Sequence, residues 1–156
     1  RTTYCIQWID DRGRRRTEAA GTDKALANQM RKDREYQLNR QKMVDTVSVR
    51  LKDFREEHER LMTGRLSPQT IKMHIRSLKL FEEAIGNKML DAITVSDVEE
   101  FVACRLKSRA EHRKTTCSVA TVNRDLRHLR GILETAVARK RMRSNPVSLV
   151  PKLRES

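Results

Sequence analysis

The sequence predicts a mainly α protein, a four-helix bundle preceded by a short β-hairpin and a long connecting helix. Three observations carry this. From Thr46 onward, apolar residues recur at three- and four-residue spacing in four successive segments. These segments begin or end at recognisable stops and starts such as Ser67–Pro68, Gly86 and Ser118. Only the first twenty residues mix β-branched and aromatic side chains in a loose alternation.

The elements follow in order. In TTYCIQWI, Tyr4, Ile6 and Trp8 alternate with Cys5 and Gln7, as in a strand with one face covered. DDRG at Asp10–Gly13 reads as the turn, with Gly13 available for positive φ, and RRRTEA as the returning strand. Gly21 breaks the pattern, and Thr22 or Asp23 can cap a helix. Lys24 to about Asp45 holds strong helix formers without Gly or Pro. Its apolar residues, Leu26, Met30, Leu38 and Met43, are sparse, which suits a connecting helix and suits a partly frayed linker equally.

The first bundle helix is expected to start at Thr46 or Ser48, with a seam of Leu51, Phe54, His58 and Leu61 and a stop at Gly64. Ser67 and Pro68 open the second, whose seam is Ile71, Ile75, Leu78, Phe81 and Ile85, ending at Gly86. Ser96 is expected to cap the third, with Asp97, Glu99 and Glu100 in the first turn and Val98, Phe101, Val102 and Leu106 as its seam. SRAEHRKTTC is a basic loop. Ser118 caps the fourth helix, expected from about Val119 to Met142, with Val122, Leu126, Leu129, Leu133 and Val137 on one face. RSNPVSLVPKL leaves through Pro146 and Pro151 as an extended segment. Short connections between amphipathic helices make a compact bundle.

Composition narrows the function. The chain of 156 residues carries 34 Lys and Arg against 21 Asp and Glu, a net charge of +13. That excess calls for a polyanionic partner, whether DNA, RNA or an anionic membrane surface. No apolar run is long enough to cross a bilayer, and the apolar faces are committed to helix packing, so no membrane partner is expected. No signal peptide is visible in a chain that starts at Arg1. Cys5, Cys104 and Cys117 are odd in number and widely spaced, which fits free thiols in a reducing cytoplasm. There is no C-x-x-C, no H-x-x-x-H, no phosphate-binding glycine loop and no G-x-S-x-G elbow. No metal, cofactor, catalytic residue or small-molecule substrate is expected. His58 reads as a boundary core residue and His74 as an exposed one.

The charge is concentrated. At 100° per residue, Arg124, Arg127, His128 and Gly131 fall opposite the apolar seam of the fourth helix, with Asn123 and Arg130 on the flank. Thr121 opens the same run. Lys107, Arg109, Arg113 and Lys114 precede the helix; Arg139, Lys140, Arg141 and Arg143 follow it. Glu111, Asp125 and Glu134 are the acids that offset them. A solvated face would alternate signs, whereas a near single-sign face suits duplex DNA. Arg can bridge guanine edges, Asn adenine edges, and Lys and Arg can take phosphates. Gly131 lets that face approach another surface closely. The second helix has a weaker face of the same kind in Gln69, Lys72, Met73, Arg76 and Lys79.

Three stretches, LSPQTIKMHIRSLKLFEEAIG, ITVSDVEEFVACRL and SVATVNRDLRHLRGILETAVARKRMRSNPVSLV, resemble the core-binding domain of tyrosine recombinases of the phage-integrase type. The shared features are the S-P-x-T helix start, the T-V-N-R-x-L-x-x-L-R run and the N-P after a basic helix end. YCIQWIDDRGRRRTEAAGTDKALANQ is similar to the tail of the β-sheet arm-binding domain that often precedes it. The resemblance implies a four-helix SAM-like bundle that clamps duplex DNA at a recombination core site and self-associates there. It places DNA contact on Gln69, Thr70, Lys72, Met73 and Arg76 and on Thr121, Asn123, Arg124, Arg127 and His128, to which the charge pattern adds Lys79, Arg130, Arg113, Lys114 and Arg141.

The implied organisation is a β remnant at 1–21, a connecting helix at 22–45, the bundle at 46–145 and a linker at 146–156 towards a catalytic domain. In the family that domain carries Arg, Lys, His, Arg and a nucleophilic Tyr. Here Tyr4 and Tyr36 both lie far upstream, so the chain as given is expected to bind DNA without cutting it, in association with the nucleoid. Three other readings of the residues stay open. One is a stand-alone helical DNA-binding regulator. Another is an RNA-binding basic protein, which would want exposed aromatics for stacking where this chain has few. The third is a basic scaffold for a protein partner.

Overall fold

The computed structural model describes residues 1–10, 12–108 and 116–156, without the side chain of Val44. They form two compact units, Arg1–Thr46 and Val47–Ser156.

In the first unit, β1 (Tyr4–Ile9) pairs antiparallel with β2 (Arg15–Gly21), with Ile6 opposite Glu18 and Trp8 opposite Arg16. Asp10 fastens the turn. Its Oδ1 accepts from the Arg12 and Arg14 amides at 3.0 and 2.8 Å, and its Oδ2 accepts from Arg16 Nε at 2.8 Å. Gly13 takes the positive φ that the turn requires. Asp23 caps α1 (Lys24–Asp45) by accepting from the amides of Ala25 and Leu26. The helix lays Ala27 and Met30 on Ile6, Ala20, Tyr4 and Trp8. Arg34 stacks over the Trp8 ring at 4.4 Å and pairs with Glu18 at 2.8 Å. The helix is continuous, although Leu26 and Met43 remain exposed.

The second unit is a bundle of α2 (Leu51–Met62), α3 (Pro68–Ile85), α4 (Val95–Lys107) and α5 (Val119–Ala138). The mainly α class with its leading hairpin is borne out. The start of α2 differs from the sequence expectation. Its cap position is Arg50, not Thr46 or Ser48, and the Arg50 side chain makes no cap bond. Pairing with the 86–91 segment does the work instead: Leu51 N donates to Lys88 O, Lys52 N to Asn87 Oδ1 and Leu90 N to Val49 O, while Ser48 Oγ accepts from Asp91 N. Ser67 and Ser118 cap α3 and α5 as expected, and Gly86 (φ 87°) ends α3. The cap of α4 is Thr94, not Ser96. Thr94 Oγ1 accepts from Asp97 N, and Asp97 Oδ2 accepts from Thr94 N, a reciprocal capping box. Thr94→Ala is therefore expected to lower stability by about 1 kcal/mol, read as an earlier urea midpoint, with Ser96→Ala near neutral.

The core gathers Leu51 and Phe54 of α2, Leu78 and Phe81 of α3, Val98 and Phe101 of α4, and Val122, Leu126, Leu129, Ile132 and Leu133 of α5. Phe81 and Phe101 meet edge to face, centroids 5.3 Å apart. The seam of α3 is rotated from expectation: Ser77 is buried, and Ile71 and Ile75 are only half-buried. α5 stops at Ala138, short of Met142. Lys140 adopts φ +57°, and Arg141 N reaches back to Ala136 O, a left-handed stop. Val47 N bonds Lys140 O, and Arg141 clasps Glu57, so long-range contacts hold a turn that the local sequence does not signal. Residues 146–149 are not extended. Asn145 caps a single 3-10 turn, Pro146–Leu149, and Pro146, Val147 and Val150 are buried.

Candidate nucleic-acid interface

α5 sorts its side chains by sign. Arg124 and Arg127 are exposed, Thr121 and His128 are half-buried beside them, and Gly131 leaves open space where a Cβ would stand. The acids of the same helix are engaged inward or along its flank. Asp125 Oδ2 accepts from Arg105 Nε at 3.0 Å, with both side chains about nine-tenths buried. Glu134 Oε1 accepts from Asn145 Nδ2 at 2.9 Å and Ser148 Oγ at 3.1 Å. The acids of α5 itself therefore do not interrupt its outward cations.

On α3, Gln69, Lys72, Met73, Arg76 and Lys79 are exposed, and the half-buried Thr70 shares a hydroxyl hydrogen bond with Ser67. Lys72, Arg76 and Lys79 line a groove of about 890 Å³ against the end of α2, over Leu66, Ile71 and Ile75.

α3 and α5 meet at histidines. His58 of α2 is 1% exposed, and its Nε2 lies 3.1 Å from His74 Nδ1; the His74 ring in turn lies 6.1 Å from that of His128. His74 is thus half-buried and bonded, not exposed, because the α3 helix turns it towards its neighbours. His58 Nδ1 is buried without a partner. A bare lone pair is cheaper than an unpaired N–H, so we assign the His58 proton to Nε2, donating to His74. Burial lowers the His58 pKa from the ordinary 6.5 to about 4, with His74 and Arg139 acting in the same sense. Burial and then His128 lower that of His74. For His128, burial leads, followed by Arg127 and Arg124, with Asp125 opposing.

Asn123, Arg130 and Arg141, all anticipated contact residues, are tied to distant segments of the bundle. Asn123 Nδ2 donates to Leu153 O and Glu155 Oε1, and its Oδ1 accepts from Leu153 N. Arg130 Nη2 reaches Val150 O at 3.4 Å. Arg141 makes a two-pronged pair with Glu57, both contacts at 3.1 Å, and donates to Val47 O. Arg113 and Lys114 lie outside the described residues. The sequence reading missed Arg105, the histidine contacts and Lys152. Arg105 and the histidines have no local signal, because their partners sit on other elements.

Among the described residues, no group of three or more His, Cys, Asp or Glu side chains is placed to hold a metal ion. Nor is any helix of theirs long and apolar enough to cross a membrane.

A small helical bundle whose last helix presents cations on one side and packs on the other defines the class. Residues 50–153 match the family described as the phage integrase SAM-like domain, well over half of the chain. The chain belongs to that family, and the resemblance to the core-binding portion of tyrosine recombinases is borne out. The fold is similar to that of a lambda integrase dimer bound to a COC′ core site, with TM-score 0.58 and 16% identity over 99% of this chain and 43% of that one. It is also similar to a lambda integrase tetramer bound to a Holliday junction, with TM-score 0.56 and 14% identity over 96% and 47% of the two chains. At such identities the likeness is one of fold. The chain spans less than half the length of the integrase chains it matches. Comparison with curated proteins gave no match.

Proposed function

We propose that the chain is the DNA-binding portion of a site-specific tyrosine recombinase, laying α3 and α5 against duplex DNA at a recombination core site. The carrying observation is the outward face of α5, where Arg124 and Arg127 stand exposed beside bare Gly131 while Asp125 and Glu134 are engaged elsewhere. The family membership and the net charge of +13 support the same reading. So do the structural neighbours, which are integrases bound to a core site and to a Holliday junction.

In this reading Gln69, Thr70, Lys72, Met73, Arg76 and Lys79 contribute from α3, and Thr121, Arg124, Arg127 and His128 from α5. The hairpin belongs to an arm-binding domain, and α1 connects it to the bundle. The parent protein supplies strand cleavage and rejoining from another domain and self-associates on DNA; the chain itself binds without cutting.

Titrating a fluorescent duplex at several salt concentrations tests this. Log K is expected to fall with log salt by roughly 0.9 for each phosphate neutralised. Arg124→Ala and Arg127→Ala are each expected to weaken binding to a cognate site by about 1–3 kcal/mol if they read bases, and uniformly across sequences if they hold phosphates. Affinity unchanged by both substitutions removes this face from the interface.

A further inference from the structure

Asn123 is tied to the C-terminal end of the chain. Its amide and the Leu153 backbone exchange two hydrogen bonds, Nδ2 to Leu153 O at 3.0 Å and Leu153 N to Oδ1 at 2.8 Å. The other Nδ2 hydrogen goes to Glu155 Oε1 at 2.9 Å. Both donors of the amide are occupied, so Asn123 has none left for a base edge unless the strap lets go. The strap is the C-terminal segment from Val150, tied again at Arg130 Nη2.

Between this strap and α5 lies a polar groove of about 360 Å³, lined by Arg124, Arg127, Arg130 and Lys152 with Glu155 as the acid. Four cations face one carboxylate. The Glu155 carboxylate is held by Asn123 and by Lys152 Nζ at 3.2 Å, and its side chain is 45% exposed. An exposed pair of this kind is weak and gives way easily.

We propose that this groove is a seat for one phosphodiester, with Lys152 as a DNA-contacting residue, and that Glu155 is a built-in occupant which a backbone phosphate displaces. A carboxylate and a phosphodiester present the same thing to Arg and Lys, an anionic oxygen that accepts charge-assisted hydrogen bonds. When Glu155 swings out, the phosphate takes its place among Arg124, Arg127 and Lys152. The Asn123–Leu153 pair stays closed and keeps Lys152 on the flank of α5. Asn123 is then a positioning residue. The proposal rests on the duplex-binding reading above.

The test uses the whole chain and a mixed-sequence duplex, with affinity measured across a salt series. Glu155→Gln is expected to tighten binding about 2- to 5-fold beyond any gain from the control Glu56→Gln, an exposed α2 acid away from the groove. Its salt slope is expected to stay that of the wild type, because the same phosphate is seated in both. Lys152→Ala is expected to flatten the slope by about 0.9, and to have no further effect once Asn123→Ala has released the strap. A Glu155→Gln gain no larger than the control, or a slope that Lys152→Ala leaves unchanged, overturns the proposal. A wild-type chain without duplex affinity overturns the function on which it rests, which is a separate result.

Discussion

Asp125→Ala is expected to cost the bundle about 3–5 kcal/mol, the largest effect of any single charge change on α5. On the sequence alone Asp125 is one of few acids on a cationic helix, and its removal would look like a gain for a DNA-binding face. The structure reverses that expectation. Asp125 points inward to Arg105 of α4, 3.0 Å away, and both side chains are about nine-tenths buried. Alanine at 125 leaves the guanidinium in the interior without a counter-charge, and desolvating an unpaired cation is what makes the change expensive. Replacing both partners together, Arg105→Met with Asp125→Leu, removes the orphan and is expected to be neutral or stabilising. Urea unfolding followed by circular dichroism separates the two cases. A single variant with an unshifted midpoint shows that the pair is not buried in solution.

Acid is the second strong lever. His58 is neutral in the fold, its pKa lowered by burial to about 4 against an ordinary 6.5. Below pH 6.5 the unfolded chain takes up a proton that the folded chain refuses until near pH 4. The associated stability is complete above pH 6.5 and drains away as the pH falls through that window. The whole shift corresponds to about 3 kcal/mol. His74 and His128 are shifted in the same direction and add to the slope. Denaturant midpoints measured from pH 7.5 to 4.5 are expected to fall in the wild type (roughly the span of one such titration) and to fall much less in His58→Gln. Parallel slopes in the two proteins would mean that the imidazole is solvated.

How much of the fold and the interface is legible in the sequence depends on where the partner of each residue lies. Ser67, Pro68, Gly86 and Ser118 act on backbone within one turn of themselves, and local pattern places them correctly. Thr94 and Ser96 each precede an acid by three positions, so both satisfy the capping-box pattern, and packing of the turn decides between them. Nothing local ends α5 before Pro146; Glu57 and Val47 do so from the far side of the sequence. The cationic face of α5 is readable because it follows from helical periodicity alone. The engagements of Asn123 with Leu153, of Arg141 with Glu57 and of His58 with His74 are not, since those partners are 30, 84 and 16 residues away. Ser77 in the core and half-open Ile71 and Ile75 record the same limit: the wheel gives a stripe, and the neighbouring helices set its angle.

The inward pairing of Asp125 with Arg105 also has a consequence in time. A local excess of positive charge that nearby carboxylates do not cancel reaches out about a Debye length, roughly 8–10 Å at physiological salt. A polyanion drifting past is drawn and turned before any contact forms. Encounter rates rise, and they fall steeply as ions are added. Asp125 thus helps to set how fast a long anionic molecule arrives at α5, even though it is not placed to touch it.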